Sequence, residues 1–257
     1  MIQQPANLVR AIVPKTWRPI GYLMHLTWSK SQGKVQAGPF TGMRYLHDSV
    51  GATGSAYIPK VLGIYERELN TCVEKAVSLN FQQIINVGAG EGYYAVGMAM
   101  RVPLASIVAF EMEPKGQQMI QQLAKQNQVQ DRIQILGKCE IDDLNALLTV
   151  GKKTLLVVDV EAYELILLNP EKIPDLKHTT ILVELHDFIQ RGIAEELQTR
   201  FTNTHHIERI WQDDRHGQEF PYNTFYTRCL PHSYLDWAVS EWRPEKMSWY
   251  WMEPLAL

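Results

Sequence analysis

At 257 residues, with 46% hydrophobic and 21% charged side chains, the chain can bury roughly three quarters of its unfolded surface and needs no disulfide or metal staple. Its three cysteines, Cys72, Cys139 and Cys229, lack paired spacing, which argues against a disulfide framework or a structural zinc site and for a reducing compartment. A net charge of −3 carries no footprint of nucleic-acid binding, no apolar run approaches the roughly 18 residues of a spanning helix, and the N-terminus lacks the blocks of a signal peptide, so a cytoplasmic protein without a transmembrane segment is expected.

Residues 1–57 read as an irregular or helical N-terminal extension. Pro14, Pro19, Gly21, Gly33, Gly38, Pro39, Gly42, Gly51 and Gly54 break any long element, and only residues 20–28 are apolar and aromatic enough to pack on something. Residues 1–60 hold seven cations against the single acid Asp48, a balance of +6, which leaves −9 for the rest of the chain. That asymmetry suits an anionic substrate, a membrane surface or simply a solvated flank. Pro59 then opens a helix predicted through Asn80, because Leu62, Tyr65, Leu69, Cys72, Val73, Ala76 and Leu79 recur at three- and four-residue steps.

From Phe81 onward apolar runs alternate with amphipathic ones. Strands are predicted near 83–87, 106–110, 132–136, 154–158, 180–185, 205–211 and 222–229, and helices near 92–101, 114–128, 141–149, 161–168 and 189–201. The early strands are short and almost wholly apolar, as in a parallel sheet covered by helices on both faces. The pattern predicts a doubly wound, mostly parallel α/β domain over 58–257, with a Trp-rich C-terminal segment at 231–257. The last two predicted strands follow one another without a helix, which predicts a closing antiparallel hairpin at one sheet edge. His205 and His206 fall in a strand, point to opposite faces and read as structural.

In open α/β sheets a ligand lies beyond the carboxyl ends of the strands. The first strand runs into Asn86-Val87-Gly88-Ala89-Gly90-Glu91-Gly92-Tyr93. A dinucleotide fingerprint would place its third glycine at position 93, where this chain has Tyr, and Glu91 would repel a pyrophosphate. S-adenosylmethionine carries no phosphate and has cationic sulfonium and ammonium groups, so it suits an acidic loop better. Asn86, Gly88, Ala89, Gly90, Gly92 and Tyr93 are the expected loop contacts. Glu111 ends the second strand 19 residues after Gly92 and can accept hydrogen bonds from both ribose hydroxyls. Met112 either lies against the adenine or packs in the core. After the third strand, Gly137-Lys138-Cys139-Glu140 stands where an adenine amino group would be read, although Glu140 equally suits a helix cap.

Two acidic clusters follow the fourth and fifth strands: Asp159-Val160-Glu161-Ala162-Tyr163-Glu164 and Glu184-Leu185-His186-Asp187. Methyl transfer to oxygen needs the acceptor held close to the methyl group and relieved of its proton. His186 is the natural base, with Asp159, Glu184 and Asp187 beside it, and Asp159 also within reach of the cofactor. Asp159, Glu161, His186 and Asp187 could instead hold Mg²⁺ or Mn²⁺, or Asp159 and Glu184 could merely cap helices and pair with lysines.

At these residues the chain resembles the FkbM-type group of S-adenosylmethionine-dependent methyltransferases, class I enzymes with a Rossmann-like fold. The resemblance covers about residues 82–190. It rests on the stretch from Asn86 to Tyr94, on Val108-Ala109-Phe110-Glu111, on the run from Val158 to Glu164, and on Val183-Glu184-Leu185-His186. It implies a seven-stranded sheet with its last strand antiparallel and O-methylation of a sugar or natural-product hydroxyl. Two departures stand. Glu111 is followed by Met-Glu-Pro where the family usually places proline directly after the acid, and Ala162 stands where a glycine is usual.

Four of the seven tryptophans, Trp237, Trp242, Trp249 and Trp251, fall in the last 21 residues. They could stack on a ring-bearing acceptor, anchor a subunit interface in a homo-oligomer, or pack onto the domain. The N-terminal extension is read as a lid or dimer arm. The leading expectation is therefore an S-adenosylmethionine-dependent O-methyltransferase acting on a sugar or other small hydroxylated metabolite. The alternative is a catalytically inactive nucleoside-binding partner of the same fold in a glycan or natural-product assembly system. A nicotinamide-dependent oxidoreductase would require pyrophosphate contacts that the glycine loop does not offer.

Overall fold

A computed structural model describes residues 18–47, 56–148 and 151–255. Its sheet is built from β1 (Gln83–Val87), β2 (Ser106–Phe110), β3 (Ile133–Leu136), β4 (Thr154–Val158), β5 (Thr180–Leu185), β6 (His205–Trp211) and β7 (Ser248–Pro254). The order across the sheet is β3-β2-β1-β4-β5-β7-β6. The first five strands are parallel, and β7 is antiparallel to both of its neighbours. This is the Rossmann-like methyltransferase fold that the resemblance implied. No helix among the described residues is long and apolar enough to cross a membrane.

Register decides which side chains meet. Asn86 pairs with Val157, Val157 with Leu182, and Leu182 with Trp251. Alternation along each strand then puts Asn86, Val157, Leu182, Glu184, Trp249 and Trp251 on one face. The opposite face carries Ile85, Val87, Val158, Val183 and Tyr250, and each face has its own apolar core. Helices Tyr93–Arg101 and Pro114–Gln126 cover the first face, and Ile141–Leu147 and Ile193–Phe201 the second. Burial on both faces is why the parallel strands read as continuous apolar runs.

Several expectations are corrected. The N-terminal region is not irregular throughout: α1 (Pro19–Ser31) is a helix, with Pro19 in its first turn, where its missing N–H costs nothing. The helix expected from Pro59 to Asn80 is broken into α2 (Tyr57–Leu62), a 3₁₀ turn (Arg67–Leu69) and α3 (Asn70–Ser78), because Gly63 closes α2 in a left-handed cap. The strand expected at 222–229 is instead a helix, Phe225–Cys229, started by Thr224, whose side chain accepts from the Thr227 N–H. The helix expected at 161–168 shrinks to Glu164–Leu167. The closing antiparallel pair does form at one sheet edge, but between β6 and β7: residues 212–247, including the helices Phe225–Cys229 and His232–Val239, separate the two strands, and β7 inserts between β5 and β6. The parts of the extension at 1–17 and 48–55 lie outside the described residues.

Candidate active site

A cavity of about 690 Å³ opens beyond the carboxyl ends of β1 to β5, on the face that carries Asn86 and Glu184. Over β1 to β3 its wall is the glycine loop, Glu111, Met112 and Cys139; over β4, β5 and β7 it is Asp159, Glu184, His186, Phe188 and Trp249. Two remote segments, 65–66 and 241–244, close the remaining sides.

The loop is pinned from below. Gly88 and Ala89 donate their N–H groups to the Phe110 carbonyl at 3.0 and 2.9 Å. At Gly88, φ is +77° and an added Cβ would stand 1.6 Å from the Asp159 carbonyl oxygen, so the turn is pressed onto the next strand end. At Gly90, φ is +54° and nothing lies within 4 Å of where a Cβ would point. One glycine is required by the fold, and the other faces open space. Glu111 is buried, and its two oxygens accept separately from the Gly90 N–H at 2.7 Å and the Glu113 N–H at 2.8 Å. Each oxygen keeps a further lone pair for a ligand. Asn86 is buried at the cavity wall with no partner for its Oδ1. An orphaned buried acceptor, open space above Gly90 and a clamped carboxylate fit a nucleoside with a cationic amino-acid tail.

The other expected contacts are placed as follows. Met112 is 66% exposed at the cavity, not core-packed. Cys139 is buried and lines the cavity, and burial pushes its thiol up to about 12. Tyr93 lines the cavity from within an aromatic cluster with Phe40, Tyr45, Tyr65 and Tyr94. Glu140 caps helix Ile141–Leu147 through a capping box with Asp143. Glu91 changes meaning: it is buried in an ion pair with Lys60 and accepts from the Tyr45 O–H at 2.5 Å. Burial would raise its proton affinity, but Lys60 and Tyr45 hold the carboxyl below its ordinary range. Its charge is matched within the protein, so it is not a free acid facing the ligand.

At the other end, His186 sits between two carboxylates. Its Nδ1 meets Glu164 Oε1 at 2.5 Å, and its Nε2 lies 3.5 Å from Asp159 Oδ1. Burial alone would lower its basicity, but Glu164 and Asp159 reverse that and raise it. Asp159 is pushed up to about 6 by crowding against protein and by Glu66 and Glu161, with His186 and Arg243 opposing, yet its side chain keeps 43% of its surface open. Glu184 is raised by burial and by Asp159. Asp187 does not join them: it accepts from the Ala194 N–H at 3.1 Å, within the first turn of the following helix, and faces Arg209. Glu161 is exposed at the cavity, with φ at +46°. His205 is buried against the Thr179 carbonyl and His206 points outward, the opposite-face arrangement expected of them.

Ligand atoms of Asp159, Glu184 and His186 lie within 4.8 Å of one another, which raises the question of Mg²⁺ or Mn²⁺. The donor set does not fit. Arg243 is ion-paired to Glu184, Glu66 and Glu241 at once, and neither Glu161 nor Asp187 joins the group. A guanidinium already stands where the second charge would be needed. Glu66, Glu164, Glu241 and Arg243 were not singled out by sequence reasoning. Glu164 at least belongs to the acidic run after β4, whereas Glu66 and Arg243 have no local signal.

No protein-family model and no curated protein sequence matches the chain. Among solved structures, it is similar to cofactor-bound Rv0187 from MTB, with 11% identity over 98% of both chains and a TM-score of 0.46. It is also similar to the O-methyltransferase TomG from Streptomyces achromogenes in complex with SAM, with 12% identity, 82% of this chain and 93% of that one covered, and a TM-score of 0.43. An rRNA methylase from Streptococcus thermophilus gives 10% identity, 74% and 98% coverage, and a TM-score of 0.48. At these identities the likeness is one of general architecture, and the fold assignment stands on strand order and direction.

Proposed function

We propose that the protein is an S-adenosylmethionine-dependent methyltransferase of FkbM type that methylates a hydroxyl group of a small, ring-bearing acceptor. The observation that carries this reading is Glu111, a buried carboxylate at the end of β2, aimed by two backbone N–H groups beside the open face of Gly90. Glu111 would hold the ribose, Met112 and Cys139 the adenine, and Asn86 with the glycine loop the amino-acid tail. When bound, the cofactor supplies an electrophilic methyl carbon on a sulfonium.

The chain's own residues then position the acceptor and move its proton. Asp159 is the most exposed of the three grouped side chains Asp159, Glu184 and His186, and a carboxylate whose proton affinity is raised toward neutrality is a better base than an ordinary one. The acceptor O–H gives its proton to Asp159, and His186 lies behind it as the next station, oriented by Glu164 through Nδ1. Segments 65–66 and 241–244 exclude water from above, which supports a lid role for the C-terminal segment; of the described residues of the N-terminal extension, Ala56 lines the cavity. Calorimetric titration with S-adenosylhomocysteine tests the cofactor assignment: absence of binding refutes it. His186→Asn should bind that nucleoside as wild type does but release at least a hundredfold less of it over a panel of hydroxylated acceptors. Unchanged release would remove His186 from the chemistry.

A further inference from the structure

We propose that the acceptor end of the cavity selects a cationic, ring-bearing acceptor: an amine-substituted ring whose face lies on Trp242 and whose charged edge meets Asp159 and Glu161. The inference rests on the reading that this end, over β4, β5 and β7, receives the methyl acceptor.

The first ground is the inventory of donors and acceptors. Arg243 turns each of its three nitrogens to a carboxylate: Nε to Glu241, and the two terminal nitrogens to Glu184 and Glu66. The most open polar side chains at this end are carboxylates, which only accept hydrogen bonds, beside the Tyr65 O–H and the Trp242 Nε1–H as neutral donors. Asp159 is 43% open and Glu161 is exposed. Open carboxylates favour a ligand that brings donors over one that brings only further lone pairs.

Charge is the second ground. Five carboxylates line this end (Glu66, Asp159, Glu161, Glu184 and Glu241) against the Arg243 guanidinium and the His186 imidazole. Glu241 shares a second arginine, Arg215, but that side chain is also held by Glu68. The excess is negative, so an anionic acceptor meets like charge while an ammonium group relieves it.

Trp242 supplies the platform. Its ring is 51% exposed at the cavity, and its backbone takes φ +60°, a conformation that a bulky residue adopts only when its surroundings impose it. What imposes it is visible on both sides: Glu241 accepts from the Glu66 N–H and from Arg215, and Arg243 is held by three carboxylates. Between these anchors the ring meets Trp237 in a T-shaped contact, at 4.8 Å between centroids. An exposed indole lining a negatively charged cavity is a site for a cationic ring.

Matched probes test this on the full chain saturated with S-adenosylhomocysteine: methyl glucosaminide (cation), methyl glucoside (neutral) and methyl glucuronide (anion), titrated at low salt. Affinity should fall in that order, by roughly tenfold at each charge step. Trp242→Gly removes the ring at a backbone position that glycine adopts freely, so the variant should fold. It should bind the glucosaminide at least fivefold more weakly and S-adenosylhomocysteine within twofold of wild type. Glu161→Gln should narrow the gap between the cationic and neutral probes. The proposal is overturned if the glucuronide binds as tightly as the glucosaminide, if no probe binds the nucleoside-loaded protein, or if Trp242→Gly leaves the glucosaminide unaffected. A wild type that fails to take up S-adenosylhomocysteine sinks the methyltransferase reading as well; one that takes it up but ranks the probes otherwise sinks only the acceptor class.

Discussion

Glu111→Gln is the sharpest perturbation of the cofactor site, because it keeps the shape and removes the charge and one acceptor. In the wild type each carboxylate oxygen takes one backbone N–H, Gly90 at 2.7 Å and Glu113 at 2.8 Å. Glutamine has a single oxygen. Whichever way its amide turns, its NH₂ group confronts one of those two N–H donors, and a buried donor left unmatched costs about 1–3 kcal/mol of stability. Nucleoside binding loses more. A hydroxyl donating to an anionic oxygen gains about 1.5–3 kcal/mol net, and the variant forfeits the charge for both expected ribose contacts. About 2.8 kcal/mol is then lost, which is roughly a hundredfold in Kd. Titration calorimetry with S-adenosylhomocysteine reads the affinity, and urea unfolding reads the stability. A variant with the wild-type midpoint that binds within twofold of wild type would show that Glu111 neither clamps the loop nor holds the nucleoside.

Gly88 and Gly90 should separate under the same substitution. Gly88→Ala, with its Cβ aimed 1.6 Å from the Asp159 carbonyl, should cost about 4 kcal/mol or more in urea unfolding. Gly90→Ala should cost only about 1 kcal/mol of backbone strain yet weaken S-adenosylhomocysteine by tenfold or more; equal effects of the two substitutions on stability would contradict the geometry. Glu91→Gln should destabilise by about 3 kcal/mol near neutral pH, because it leaves Lys60 buried without its partner. Since the folded carboxyl lies below its ordinary value of 4.5, the pair's contribution is complete above that pH and is lost as pH falls through the folded value. The gap between variant and wild type should therefore close below pH 4.5, and a constant gap would remove the ion pair from the account. Ala162→Gly should stabilise by about 0.5–1 kcal/mol in urea unfolding, because Ala162 holds φ +76° where a glycine has no strain; a loss of stability would mean that its methyl group packs usefully.

What could be read from the sequence follows from what is local. Strands β1, β2, β4 and β5 announce themselves because burial on both faces leaves them almost purely apolar, and the residues just beyond such strands are by topology at the ligand edge. Glu111, Asp159 and His186 were found that way. Strand β7 was missed because nothing local marks it. Its tryptophans read as a ring cluster, and only pairing with β5, such as Trp249 opposite Glu184, makes Ser248–Pro254 a strand. Tyr222, Thr224 and Tyr226 alternate like a strand, but Thr224 uses its hydroxyl to start a helix, a choice made by one side-chain hydrogen bond rather than by hydropathy. Pro19 was counted as a breaker when it sits in a first turn. Glu91 was placed correctly in the loop but misread in role, because its partner Lys60 lies 31 residues earlier.

The least legible part of the site explains why it holds together. Glu66, Glu184, Glu241 and Arg243 come from three distant stretches and meet only in the folded chain. Such a buried ion network is a poor stabiliser, since desolvation offsets most of the attraction and apolar replacements often do as well. Its value lies in placement. The carboxylates are positioned so that Arg243 satisfies them only when residues 241–243 lie against both β5 and the turn at Glu66. That turn is itself held at φ +45°. Two strained positions, Glu66 and Trp242, are thus fixed by one guanidinium. An apolar core of the same volume would leave both free to relax. The acidic wall would then lose the guanidinium that pairs with Glu66, Glu184 and Glu241 at once. The network is therefore better understood as what sets the shape and charge of the acceptor end than as a contribution to the stability of the fold.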